Sequence, residues 1–253
     1  MNPKNEGIFQ VKQLTEFSTP GARADQEDFV ITDRTKQVFA VADGFGGRGP
    51  GAEASRVACE SVKSFLFKEA GDLDATLPFE IRPYFSLVGN VLFNALIHVI
   101  RTLSGLIRDR SLNARGGTSM VAGFVDDGLL ALAGVGAVEA WLLRGDQSVQ
   151  LIRPQTYGAL WDPFSVQARA GELQSAPLRA LGMADSLEPE LVEVRLRPGD
   201  WLLLHTDGLS AQERATLIAS KGPSSDPAVA SVWAEGCRRK AFEENTSFVL
   251  VCF

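Results

Sequence analysis

The chain has 253 residues, 45% hydrophobic and 22% charged, which is the balance of an ordinary folded protein and excludes disorder or a fibrous repeat as its main state. Its 31 acidic and 25 basic residues give a net charge of -6, a sign that argues against a surface built for nucleic acid. Phosphate handled through a bridging cation stays open, and three scattered cysteines (Cys59, Cys237, Cys252) form neither a disulfide framework nor a zinc cage, so a reducing, cytoplasmic setting is expected.

Residues 1–7 are polar and lack the apolar core of a signal peptide. The longest apolar stretch, residues 88–100, is interrupted by Asn90, Asn94 and His98 and falls short of the roughly 20 residues that a membrane span needs. No membrane role is expected. Residues 8–17 alternate imperfectly and predict a first strand, although Gln13 spoils its face. Residues 29–32 and 38–42 predict two more, joined by a polar turn at residues 33–36, and the second is apolar enough to be buried on both faces. It runs into Asp43-Gly44 and then a stretch, residues 45–51, that reads as too glycine-rich to be regular.

Apolar spacing predicts a helix over residues 52–68 and a longer one over 83–106, with Pro83 in its first turn and residues 71–78 as the linker. After Gly116-Gly117 the period becomes strand-like. Residues 119–125, 129–135, 138–144 and 148–152 predict an antiparallel meander, with tight turns at Asp127-Gly128 and Gly145-Asp146. A short helix is expected from Asp162-Pro163. Strands follow at residues 191–196 and 201–204, the latter leading to Thr206-Asp207-Gly208; then come helices over 210–220 and 226–241 and a last strand over 248–252. Strands grouped in runs and helices grouped in pairs argue for a layered α+β architecture, two sheets back to back with helix pairs outside, as a single domain over residues 1–253.

Two apolar strands far apart in the chain thus each lead into Asp-Gly, at Asp43-Gly44 and Asp207-Gly208. A carboxylate there is fixed by the scaffold yet opens onto the sheet's end, and the glycine lets a backbone carbonyl turn to the same point. Carboxylate and carbonyl oxygens are the ligands of a hard cation such as Mg2+ or Mn2+. A single Asp-Gly is an ordinary turn, so both readings stand at this point. Glu27-Asp28, with Arg23 four residues before Glu27, and Glu244-Asn245 lie at strand entries. They are either solvated ends or further members of one convergent site.

Taken in order, Arg23-x-x-x-Glu27-Asp28, Val41-Ala42-Asp43-Gly44-Phe45-Gly46-Gly47 with Ala54-Ser55, Gly116-Gly117-Thr118, Arg179-Ala180-Leu181-Gly182, Gly199-Asp200 leading to Thr206-Asp207-Gly208-Leu209, and Asn245 carry a resemblance. The chain resembles the metal-dependent protein phosphatases of type 2C, the bacterial-type serine/threonine phosphatases, and their four-layer αββα sandwich. The resemblance implies two Mg2+ or Mn2+ ions, with Asp43 bridging both, the Gly44 carbonyl on one, Asp207 and Glu244 completing the other, and Glu27 acting through water. Arg23 would grip the substrate phosphate, because guanidinium stays charged and matches two phosphate oxygens. It also implies hydrolysis of phosphoserine or phosphothreonine on a protein by a metal-activated water, with Asp43, Asp207 and Arg23 as the catalytic set and a cognate Ser/Thr kinase as a candidate partner.

The departures are local. Gly136-Ala137-Val138 stands where the family has Gly-Asp-Ser, so a third-metal aspartate is missing. Glu244-Asn245 replaces Asp-Asn, Phe45 replaces a His or Met, and Arg153-Pro154-Gln155-Thr156-Tyr157 has no match to the family's stretch beside the cleft. Ala137 and Glu244 keep a second reading alive, a phosphatase-like protein that binds a phosphoprotein or regulatory partner without turnover. His98, in a helix stripe, and His205, on a buried strand, read as packed or hydrogen-bonded side chains and not as catalysts.

Overall fold

The computed structural model describes residues 9–47, 49–69, 81–108, 110–111, 114–161, 175–183, 187–220 and 228–253. In chain order its elements are β1 (Gln13–Thr19), β2 (Asp28–Asp33), β3 (Val38–Phe45), α1 (Pro50–Glu69), α2 (Leu87–Ile107), β4 (Gly117–Asp126), β5 (Leu129–Val135), β6 (Val138–Arg144), β7 (Gln147–Ile152), α3 (Tyr157–Trp161), β8 (Glu190–Arg195), β9 (Trp201–Thr206), α4 (Ala211–Ser220), α5 (Ala228–Arg238) and β10 (Thr246–Cys252). The strands form two five-stranded sheets, ordered β2-β3-β4-β5-β8 and β1-β10-β9-β6-β7. Every pairing between them is antiparallel.

The period of two in the strands sorts side chains into three apolar layers. On β3, Val38, Ala40 and Ala42 face α1 and α2, while Phe39 and Val41 face the other sheet. On β9, Leu202 and Leu204 face inward, and Trp201 and Leu203 pack outward with Leu217 of α4 and Trp233, Ala234 and Cys237 of α5. Strands buried on both faces read as continuous apolar runs, which is why β3, β4 and β9 were legible. The αββα sandwich expected from the sequence is the architecture found.

Several boundaries differ, for identifiable reasons. β1 begins at Gln13, whose side chain donates to Ser231 Oγ at 2.9 Å instead of breaking the strand. β3 runs on through Asp43 and Gly44 to Phe45, still paired with β4, so Asp43-Gly44 is not a turn. Pro50 and Gly51 lie inside α1, with Pro50 at a position where no intrahelical amide is needed. Pro83 precedes α2; Ser86 caps that helix by accepting from Gly89 N, and buried Asn90 holds the backbone of Arg82, Phe85 and Ser86 against it. The meander divides at Gly136-Ala137, where the chain leaves one sheet for the other, and β5 and β6 do not pair. The linker over 71–78 and the helix start at Asp162-Pro163 lie outside the described residues.

α2 spans 21 residues, longer than the apolar stretch expected there, and among the described residues it is the helix long and apolar enough to cross a membrane. Here its apolar side chains pack with those of α1 and the first sheet. His98 is exposed on α2 and lies against Phe65, outside the packed stripe.

One guanidinium ties the two sheets, pairing with Asp200 beside β9 and donating to β8 of the other sheet. Arg144, at the end of β6, donates from Nε and Nη2 to the two carboxylate oxygens of Asp200 at 2.8 and 2.7 Å, and to Arg195 O at 3.0 Å. Asp200 is only 1% exposed and also accepts from Arg197 N. Removing the fork leaves a buried carboxylate short of partners, a loss of about 2 kcal/mol. Arg144→Met should lower the thermal midpoint by roughly 4–8 °C for a chain of this size. Calorimetry checks this, and a shift under about 1 °C would contradict it.

Candidate metal centre

At one end of the sandwich the inward-facing pattern runs out of apolar residues. In phase with Phe39 and Val41 on β3 comes Asp43; in phase with Val30 on β2 is Asp28, and with Val121 on β4 is Ser119. Thr206 follows Leu202 and Leu204 on β9, and Ser247 precedes Val249 on β10. Strand pairing sets Asp43 directly opposite Asp28 on one side and Ser119 on the other. Directly opposed residues share a face at short range, so the register forces two carboxylates together.

Asp28 is 5% exposed. Thr206 Oγ1 donates to its Oδ2 at 2.9 Å and itself accepts from Ser247 N at 3.0 Å. Asp28 Oδ1 is buried with no hydrogen-bond donor set against it, and its neighbour across the ladder, Asp43, is another carboxylate. Glu27 Oε1 is likewise buried and unpartnered. Burial pushes Asp28 up to about 6 against the opposing hydrogen bonds of Ser247 and Thr206. Asp43 is held well above the usual carboxylate range by burial and then by the charges of Asp207 and Asp28. Asp207, just past the end of β9 and exposed as a residue, is pushed up to about 6 by desolvation of its carboxylate and by Glu244. Among the described residues no three His, Cys, Asp or Glu side chains form a finished cage around one point. The aspartates meet pairwise, Asp28 with Asp43 and Asp43 with Asp207.

The backbone is shaped to the same end. Gly44 N donates to Glu27 O at 3.1 Å, and a Cβ on Gly44 would overlap the carbonyls of Gly51 and Glu27, so only glycine fits. Ser55 Oγ also donates to Glu27 O, at 2.6 Å, docking α1 beside it, and Thr118 Oγ1 donates to Asp43 O at 2.9 Å.

A second strand entry closes the site. Asn245 Oδ1 accepts from Glu27 N at 2.8 Å, and its Nδ2 donates to Pro20 O and Asp25 O at 2.9 and 3.0 Å. The loop carrying Arg23 is thereby clamped to the start of β10. Gly21, at φ +62°, backs onto the carbonyls of Phe242 and Glu244 where no side chain could fit. Arg23 is ion-paired with Glu244, its Nε donating to Oε2 at 2.6 Å.

The structure therefore gathers Glu27, Asp43, Gly44 and Asp207 at one end of the sandwich, with the Arg23–Glu244 pair beside Asp207. Asp28 and Asn245 were quoted in the motifs without a role of their own. The signal for Asp28 is its phase with Val30, since β2 begins at Asp28 itself. His205 is buried facing away: its Nδ1 meets Thr206 O at 2.8 Å and its Nε2 lies toward Arg214 and Glu139. Ala137 is packed, with its N donating to Ser119 Oγ.

The two orphaned buried oxygens and the mutual repulsion of the aspartates fit a hard cation, which would supply the missing positive charge. Without a cation the cluster costs stability. An unfolded aspartate titrates near 4, so between about pH 4 and 6 the folded chain binds more protons and cation-free stability falls as pH rises. In EDTA, Asp43→Asn should raise the thermal midpoint at pH 7.5 by roughly 2–6 °C, with the gain shrinking toward pH 5. A lower midpoint at pH 7.5 would contradict the repulsion.

A family model described as protein phosphatase 2C matches residues 22–244. The serine/threonine protein phosphatase PstP of Mycobacterium tuberculosis is 29% identical over 194 residues, covering 74% of this chain and 34% of that protein. The chain thus spans about a third of that relative's length. Among solved structures, the PPM Ser-Thr phosphatase MsPP from Mycobacterium smegmatis, in complex with cacodylate, superposes with a TM-score of 0.75 at 23% identity, over 97% of this chain and all of that one. The catalytic domain of PstP in complex with two manganese ions superposes with a TM-score of 0.72 at 22% identity, over 95% and 97% of the two chains. With a family match that runs from the Arg23 loop to Glu244, the chain belongs to the protein phosphatase 2C family.

Proposed function

We propose that the chain is a metal-dependent serine/threonine phosphoprotein phosphatase that works with two divalent ions, Mg2+ or Mn2+. The observation that carries this reading is the buried, unpartnered Asp28 Oδ1 within a row of mutually repelling aspartates, a cost that a bound cation relieves. The PstP catalytic domain, similar in fold, holds two manganese ions.

Asp43, the Gly44 carbonyl, Glu27, Asp207 and Glu244 are the groups that would hold the ions. Bound there, the ions supply Lewis acidity at phosphoryl oxygens and bring water toward ionisation near neutral pH. Asp28 buttresses Asp43 from β2, and Thr206 and Ser247 fix Asp28 in turn. Arg23 supplies a fork for two phosphate oxygens from a loop whose backbone Asn245 holds in place. Phe45 presents no proton donor where the family carries His or Met, and His205 faces the other way, so neither side chain is placed to protonate the departing alkoxide. The substrate is a phosphorylated protein, with a Ser/Thr kinase acting on the same target as the natural counterpart. The buried cysteines Cys59, Cys237 and Cys252, each a thiol and not a disulfide, suit a cytoplasmic setting.

The test is Mn2+-dependent hydrolysis of a phosphothreonine peptide. Asp43→Ala and Asp207→Ala should each lower kcat/KM on the order of 10³-fold, about 4 kcal/mol of transition-state stabilisation, and EDTA should abolish turnover in the parent protein. Unchanged turnover in either variant would overturn the assignment.

A further inference from the structure

Arg23 and Glu244 are each suited to work that their pairing prevents. A guanidinium engaged with Glu244 is not free to fork onto phosphate, and a carboxylate engaged with Arg23 cannot give a divalent ion its full charge. We propose that this ion pair is an exchange contact: a divalent ion and the Arg23 guanidinium compete for Glu244, so that the ion's arrival releases Arg23 to the substrate phosphate. This rests on the phosphatase reading above.

The surroundings suit an exchange of side chains with the backbone held still. Asn245 and the close approach at Gly21 lock the loop of Arg23 onto the segment of Glu244. The two side chains themselves are 61% and 54% exposed, so each can swing without disturbing the core. Asp207 lies within the field of both, which places the pair beside a candidate cation ligand. The family's aspartate at position 244 is here a glutamate, whose additional methylene extends its reach toward Arg23. An exposed pair of this kind is weak, which an exchangeable contact requires. A strong buried pair would simply block the site.

The experiment is a double-mutant cycle on Mn2+ binding, read from the electron paramagnetic resonance signal of the free ion, with Arg23→Gln, Glu244→Gln and the double variant. Arg23→Gln should tighten Mn2+ binding roughly two- to five-fold in the parent, the span that corresponds to an exposed pair. The same change on the Glu244→Gln background should have almost no effect. Inhibition by inorganic phosphate should weaken in Arg23→Gln, opposite in sign to the Mn2+ effect, whereas a purely structural lesion would weaken both. An equal Mn2+ effect in both backgrounds, or looser Mn2+ binding in Arg23→Gln, would overturn the exchange while leaving the metal centre intact. Failure of the parent protein to bind Mn2+ at all would instead remove the phosphatase reading, and the exchange with it.

Discussion

Two carboxylates set face to face between packed sheets lose hydration and repel each other, and the rest of this structure serves to hold them there. The register of β2 against β3 places Asp28 opposite Asp43, and Asp207 stands against the same group. Such an arrangement opposes folding. It persists because the strands that carry it are committed further along to apolar packing between the sheets, through Val30, Phe39, Val41, Leu202, Leu204 and Val249. The core's hydrophobic stabilisation offsets a deliberately unfavourable end.

The polar neighbours of the aspartates do only part of the work of relieving them. Thr206 satisfies one oxygen of Asp28 and Ser247 steadies Thr206, while the other oxygen is left without a donor. A core filled with further hydroxyls could have quenched the charge, and the site would then have had little affinity for a cation. Partial satisfaction is what makes the cluster receptive. Glu27 repeats the pattern, with its backbone carbonyl doubly bonded by Gly44 and Ser55 and its Oε1 unpartnered.

The site also depends on closure between the two ends of the chain. Asn245 reaches residues 20, 25 and 27, more than two hundred positions away, and fixes the loop of Arg23 against β10. Neither sheet contains the site: β2 and β3 supply Asp28 and Asp43, while the second sheet supplies Thr206, Ser247 and the ends that lead to Asp207 and Glu244. A functional centre built in this way exists only when the sandwich is complete, which links the chemistry to the cooperative fold.

The residue pattern alone determined the layers, the strand-rich order, the Asp-Gly punctuation and the family likeness, because burial and turn chemistry leave local marks. A strand buried on both faces must be apolar throughout, and β3 and β9 show it. Gln13, Pro50-Gly51 and Pro83 misled at element ends, where a single hydrogen bond or cap decides the boundary. What only the tertiary structure decided were relations between distant residues: the opposition of Asp28 and Asp43, the passage between sheets at Gly136-Ala137, the Asn245 clamp and the pairing of Arg23 with Glu244. Register and charge contact across hundreds of positions leave no local period to read, since each depends on which strands become neighbours and in what phase.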